Sequence, residues 1–433
     1  MRSTSVIKNV ILPRYKRHLI VFLVLFSILM LTRIRFNHSK PVALPQRTFD
    51  LKCENVELKP DIEYRGSYVV FRNFVRAKRT FACNETITLS APGDYRFLDN
   101  VEPLVERWQG PISVALYAPG YDFYTTLQSI AYLRKCSNTS ALISDFITFH
   151  IFFDNQHFPQ RNGLPLLESY KDVFDCSQRP PYETKKDEDM YKQKNNLFYP
   201  INVARNVAKL NVQTHFVFPS DIELYPTRNF IPKFFELMSR SPQYFAKDST
   251  NVFVFPVFEI LADRKVPETK TQLQIMLKNK TAFGFHAKVC ARCHNPPKMK
   301  LWIESNETEG VDIFTSTKRQ GFQKIWEPFF VCTQKEPLWD ERLNWEGQGN
   351  KMCQAFYLCM LDYDFQVFDN AFLIHKPGVK KKKIQNIKYQ DQQAVNNNIL
   401  KHIQKELTSI YGITTSTRNC IVHNIGVQTA GGM

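Results

Sequence analysis

Three short apolar runs, separated by stretches of helical character, limit what this chain can fold into more than any other feature of its sequence. Residues 111–118, 147–153 and 215–218 have the length and the β-branched and aromatic content of buried strands. Helices are expected between them, around 126–135 and from 200 through 209, with a charged, apolar-poor loop at 185–194. Strand, helix, strand, helix, strand is the grammar of βαβ units and of a mostly parallel sheet, so the expected fold class is α/β. Composition agrees. The 433 residues, 43% of them hydrophobic, can bury a substantial core, while 13% aromatics and only 15 glycines exclude collagen-like, low-complexity and coiled-coil chains.

An apolar run from Leu19 to Leu31, interrupted only by Ser27, precedes this body. At about 1.5 Å per residue, His18 to Thr32 reaches roughly 22 Å, short of the ~27 Å core of an ER-type bilayer. The flanking Arg17, Arg33 and Arg35 can snorkel to close the gap. A cleaved signal peptide has the same length, but Thr-Arg-Ile-Arg-Phe follows the run and supplies no small-x-small cleavage site. The expected arrangement is a cytosolic tail (1–17), an uncleaved signal-anchor helix (18–32), a stem with a disulfide-tied lead-in (33–107), and the α/β domain (108–433), with the body in the secretory lumen. Sequons at Asn37, Asn84, Asn138, Asn279 and Asn306, and ten cysteines that all follow the anchor, fit that compartment.

The net charge of +16 does not point to nucleic acid. Arg2, Lys8, Arg14, Lys16, Arg17, Arg33, Arg35 and Lys40 carry half of it beside the apolar run, and no RRM, zinc-finger or homeodomain signature accompanies the rest. The lysine run at 380–383 reads as a solvated loop.

The sharpest local feature is His215-Phe-Val-Phe-Pro-Ser-Asp221-Ile-Glu223-Leu-Tyr-Pro226. A buried strand ends in acid-x-acid, and residues 221 and 223 project to one side of an extended chain, where two carboxylates can hold a hard divalent cation. The carboxyl end of a sheet strand is also where α/β folds bind ligands. Cys290-Ala-Arg-Cys293-His294 matches half a zinc site or a haem attachment, but without a second such pair in a luminal body it reads as structural sulfur. Phosphate-loop, serine-hydrolase and zincin motifs are absent from the sequence.

The stretches Tyr199-Pro-Ile-Asn202-Val-Ala-Arg205-Asn206-Val-Ala-Lys and Phe-Val-Phe-Pro-Ser-Asp221-Ile-Glu223-Leu-Tyr-Pro resemble the donor-site core of glycosyltransferase family 49, the family of β-1,4-glucuronyltransferases and of the second catalytic domain of LARGE-type enzymes. Blocks at Val-Phe-Pro-Val-Phe-Glu259-Ile, Trp326-Glu327-Pro328-Phe-Phe-Val, Trp339-Asp340-Glu341-Arg342-Leu and 363–376 follow in family order, so the resemblance spans roughly 111 to 380. It implies a GT-A fold, a Rossmann-like nucleotide-sugar domain, and a Mn²⁺ ion that assists departure of UDP. By position, Asp221, Glu223 and His375 become the metal ligands, with Asp221, Asn202, Arg205 and Asn206 at the donor. Inversion at the anomeric carbon needs a base, for which Asp340 is the first candidate and Glu341 and Glu346 its neighbours. Two departures stand out: Glu223 where the family usually has Asp, and Tyr357 where Glu is usual before Leu358.

The expected protein is a type II Golgi membrane glycosyltransferase that moves a sugar, foremost glucuronic acid, from a UDP-sugar to a glycan acceptor on a glycoprotein. The alternatives are the same chemistry with another donor such as UDP-GlcNAc, or a transferase-shaped binding or chaperone protein without activity.

Overall fold

The apolar runs become strands because each is long enough to cross a sheet and apolar enough to be covered on both faces. The computed structural model describes residues 51–159, 165–246, 248–290, 292–380, 387–414 and 417–420. The tail, the anchor at 18–32, Asn37 and Lys381–Lys383 lie outside the described residues. Among those described, no helix is long and apolar enough to cross a membrane.

The described strands, in chain order, are β1 (Asp61–Arg65), β2 (Tyr68–Val75), β3 (Ile87–Gly93), β4 (Ile112–Tyr117), β5 (Ile147–Asp154), β6 (Phe216–Pro219), β7 (Leu224–Pro226), β8 (Asn251–Phe255), β9 (Val257–Ile260), β10 (Ala282–Gly284), β11 (Ile313–Thr317), β12 (Phe329–Thr333), β13 (Asp364–Phe368) and β14 (Leu373–His375). A large sheet runs β1-β2-β5-β4-β3-β6-β12-β8-β13-β11, and a smaller one runs β10-β9-β14-β7.

The expected mostly parallel sheet is mixed: it is parallel at its heart and again between β8 and β13, and antiparallel elsewhere. Strands β5, β4, β3 and β6 pair in parallel, whereas β1–β2, β2–β5, β6–β12, β12–β8 and β11–β13 are antiparallel. The parallel pairs β3–β4 and β4–β5 are joined by helical crossovers; a βαβ pattern read from the middle of the chain sees such units and misses the antiparallel flanks.

The lead-in does not stand apart from the domain either. The described residues, from 51 onward, belong to one unit, and β3 lies between β4 and β6 at the centre of the large sheet. Its sequence, Ile-Thr-Leu-Ser-Ala-Pro-Gly, hides this, because Pro and Gly ordinarily argue against a central strand. Most of its polar atoms are matched across the sheet: Thr88 shares a hydrogen bond with Thr214 (2.6 Å), and the Ser90 carbonyl accepts from the Ser220 N–H (2.9 Å), while the Ser90 hydroxyl is buried without a partner. The segment is tied down at its start by the Cys53–Cys83 disulfide.

The remaining sulfur pairs are Cys136–Cys176, Cys290–Cys293 and Cys359–Cys420, while Cys332 and Cys353 are buried thiols. The Cys290–Cys293 disulfide bears out the structural reading of that motif. Residues 185–194, expected as a charged, apolar-poor loop, hold short helical turns with Met190 buried and Lys192 ion-paired to the buried Asp94.

Three strands of the large sheet continue directly into the small one. β6 leads to β7, β8 passes through Pro256 into β9, and β13 reaches β14 after a turn at 369–372. Proline near two of these corners removes an N–H that the ladder would need, which favours a change of sheet there. The site lies at this corner.

Candidate active site

Residues 220–223 link β6 to β7, and the antiparallel pairing of β14 with β7 sets His375 opposite Leu224, next to Glu223. The Lys376 N–H donates to the Glu223 carbonyl at 2.8 Å, which fixes this neighbourhood of two segments distant in sequence. His375 Nδ1 donates to the Lys376 carbonyl at 2.8 Å, so in the neutral ring the lone pair is on Nε2. That nitrogen is buried, lacks a hydrogen-bond partner, and lies 3.6 Å from Glu223 Oε2. Lys380 Nζ approaches the same carboxylate oxygen at 3.6 Å. Burial alone would raise the Glu223 pKa, but His375 and Lys380 outweigh it and hold the carboxyl below its usual range.

Asp221 is held by two cations. Its Oδ1 accepts from Arg205 Nη2 at 3.0 Å and its Oδ2 from Lys351 Nζ at 2.8 Å. Burial acts against ionisation here too, yet Lys351 and Arg205 override it and keep Asp221 charged far into acid. Of the expected ligand set, then, the structure brings Glu223 and His375 together and holds Asp221 on two cations; among the described residues no three His, Cys, Asp or Glu side chains are grouped closely enough to hold a metal as they stand. Glu223 and His375 nevertheless suit a divalent cation, since a buried imidazole nitrogen whose other nitrogen is anchored to a carbonyl is the usual form of a histidine ligand.

The helix α1 (Ile201–Leu210) explains the rest of the expected residues. Ile201, Ala204 and Ala208 pack toward Val70, Ala115 and Phe152. Asn202, Arg205, Asn206 and Lys209, spaced three and four apart, form one polar stripe, and all four are buried. The stripe meets the 334–353 segment. Asn202 Nδ2 donates to the carbonyls of Asp340 (2.8 Å) and Asn350 (3.1 Å), and Lys209 Nζ to that of Glu336 (3.1 Å). Asn206 donates to the Trp339 carbonyl (2.8 Å) and Glu341 (2.7 Å) and accepts from the Trp339 N–H (3.0 Å). Asn202 and Asn206, expected at the donor, thus use their amides to hold this segment, and Arg205 alone of the three reaches Asp221. We expect Asn206→Ala, which strands several buried partners at about 1–3 kcal/mol each, to lower unfolding free energy by roughly 2–4 kcal/mol. Urea denaturation checks this; a loss below about 0.5 kcal/mol would show that the stripe does not clamp the segment.

The three candidate bases are all engaged. Asp340 is gripped by Arg342 through both oxygens (3.0 and 2.7 Å), and Glu341 by Arg65 Nε (2.6 Å). Glu346 accepts from the Tyr199 N–H at 2.9 Å.

Sequence reasoning missed Lys351 and His286, and took His294 only as the end of the Cys290–Cys293 motif. His286 and His294 stack around Phe285, which also lies 5.5 Å from the His375 ring. Burial drives their pKa values down to about 2 and about 3, so both are neutral near the site. The Cys290–Cys293 bracket between them was the one available signal. Lys351 follows Asn350, whose Oδ1 accepts from Arg205 at 2.7 Å, and no short motif marks it.

A mixed α/β sheet that turns into a smaller one at an acid-x-acid corner faced by a histidine sets these side chains at the carboxyl end of a strand, where α/β proteins bind their ligands. A family model described as glycosyl-transferase for dystroglycan matches residues 86–412, and the chain belongs to that glycosyltransferase family. The chain is 28% identical over 379 residues to beta-1,4-glucuronyltransferase 1 of Danio rerio, covering 82% of each, and 26% identical over 371 residues to that of Homo sapiens, covering 83% of each. It is 24% identical over 330 residues to xylosyl- and glucuronyltransferase LARGE1 of Homo sapiens, covering 75% of this chain and 36% of the relative. Membership implies a sugar donor and a glycan acceptor.

Proposed function

We propose that this protein transfers glucuronic acid from UDP-glucuronic acid to a sugar hydroxyl of a glycoprotein glycan, with inversion, through a GT-A domain that uses Mn²⁺. The observation that carries the reading is the unpartnered, buried His375 Nε2 facing Glu223 beside Asp221, at the end of a central strand. The named glucuronyltransferase relatives support the choice of donor.

When bound by Glu223, His375 and Asp221, the cation would supply charge neutralisation for the departing diphosphate. The chain's own residues do the remainder. The Lys376 carbonyl fixes the His375 ring, and Lys380 keeps Glu223 ionised. Arg205 and Lys351 bring positive charge to the place where the leaving group's charge develops. The acceptor proton is assigned to Glu346, which accepts from the Tyr199 N–H at 2.9 Å. Its proton-accepting role predicts a lower kcat for Glu346→Gln with donor binding unmoved.

The experiment is a panel of UDP-sugars and glycan acceptors offered to the purified chain with and without chelator. Turnover with UDP-glucuronic acid that chelation abolishes is the expected result. Turnover that survives chelation defeats the metal assignment, preference for UDP-GlcNAc defeats the donor assignment, and binding without turnover on any donor favours the non-catalytic alternative.

A Golgi membrane location, type II with the domain luminal, is part of the same proposal. Four disulfides and exposed sequons at Asn138, Asn279 and Asn306 support it. Glycosidase treatment should increase the electrophoretic mobility of the expressed protein; an unshifted protein in the cytosol would contradict this placement.

A further inference from the structure

The ammonium of Lys351 occupies an oxygen that the expected metal needs. It lies 2.8 Å from Asp221 Oδ2, its side chain is 16% exposed, and it is cradled 4.4 Å from the centroid of the Phe329 ring. The other carboxylate oxygen belongs to Arg205, itself buried and locked to Asn202 and Asn350 at 2.9 and 2.7 Å. The two cations therefore differ in freedom. Arg205 is fixed by its own hydrogen bonds, whereas Lys351 carries its charge on a flexible four-carbon stem. Beside them lies a cavity of about 20 Å³ lined by Arg205, Asp221, Phe329, Trp339, Lys351 and Gln354, which has room for roughly one water-sized group and hence for an ammonium to shift.

We infer that Lys351 is a resident counter-ion of Asp221 that a divalent cation displaces, and that the freed ammonium then contacts the diphosphate of the nucleotide donor. The inference rests on the proposed cation-dependent transfer. Without the metal, Lys351 keeps Asp221 compensated and the corner rigid. When the metal arrives on Glu223 and His375, a like charge on Asp221 Oδ2 is repelled, and the nearest new anion for the ammonium is the donor phosphate. Lys351 thus competes with metal alone and cooperates with metal plus nucleotide, which makes cation binding tight only when the donor is present.

The test is calorimetric titration of the full-length chain in detergent, first with Mn²⁺ alone and then with UDP at saturating Mn²⁺. Lys351→Met should bind Mn²⁺ alone at least about fivefold more tightly than the wild type and UDP at least about tenfold more weakly. Lys351→Arg, which keeps the charge, should leave Mn²⁺ affinity within about twofold. A purely structural lysine would weaken both ligands together or neither, and either result overturns the inference. If the wild type binds Mn²⁺ and the methionine variant binds it no better, this inference alone fails. If the wild type binds no Mn²⁺ with or without UDP, the cation-dependent reading fails as well. Should the methionine variant not fold, a wild-type crystal structure with Mn²⁺ and UDP decides: Lys351 Nζ is expected off Asp221 and on a phosphate oxygen, and an ammonium still on Oδ2 beside a seated metal refutes the exchange.

Discussion

Asp221→Asn is expected to reduce sugar transfer at least about a hundredfold, with the fold retained, because it removes one negative charge from the point where three functions meet. The carboxylate is the partner of Arg205 and Lys351 and the first acid of the acid-x-acid corner. Asparagine preserves shape but turns an NH₂ toward one of the two cations, leaving a buried guanidinium or ammonium without its anion. That loss can also cost stability, so the comparison needs unfolding curves recorded beside the initial rates. Rates that fall a hundredfold while the curve moves by less than about 2 kcal/mol place the effect in the chemistry. A variant retaining more than about a tenth of wild-type turnover would remove Asp221 from the mechanism. Glu223 is a different case: its longer side chain still brings Oε2 within 3.6 Å of His375, so the departure from aspartate keeps the pair in reach.

Acidification should destabilise the protein from about pH 6.5 downward through His150. This ring is fully buried; Nδ1 accepts from the Asn73 N–H at 2.8 Å, and Nε2 donates to Ser113 Oγ at 2.9 Å, whose own proton goes to the Ala208 carbonyl at 2.7 Å. Every position suits the neutral ring, and a proton on Nδ1 would face the Asn73 N–H. Burial, helped by Arg72, lowers its pKa to about 3. Between about pH 6.5 and 3 the unfolded chain therefore binds a proton that the folded chain does not, and stability falls as pH falls, by up to about 1.4 kcal/mol per unit. Denaturant titrations at pH 7, 5.5 and 4.5 should show this slope, and His150→Gln should flatten it by the share that His150 contributes. Parallel pH profiles for the two proteins would mean that His150 is not the group responsible.

Sequence legibility followed local periodicity. Strands β4, β5 and β6 and helix α1 were readable because their burial follows from a continuous apolar run or a helical repeat, and the acid pair was readable because it ends such a run. β3 was not, since Thr88, Ser90, Pro92 and Gly93 make a central strand look like a turn, and only partners distant in sequence satisfy most of its polar atoms. The polar stripe of α1 shows the same limit from the other side. Its residues could be picked out from the family blocks, but their task could not, because a buried asparagine acts on whatever the fold places opposite it, and here that is the 334–353 segment.

The sequence by itself determined the α/β class, the family, the acid-x-acid corner and the structural role of Cys290 and Cys293. Each of these is written in neighbouring residues, where spacing along the chain becomes spacing in a strand, helix or turn. The family blocks already set His375 with Glu223; the tertiary structure alone decided that Lys351 and Arg205 hold Asp221, and that Asn202 and Asn206 clamp a distant loop. Apart from Arg205 and Asp221, which are sixteen residues apart, these are pairings across more than a hundred residues, set by sheet register and packing, and no local pattern encodes which buried charge will face which.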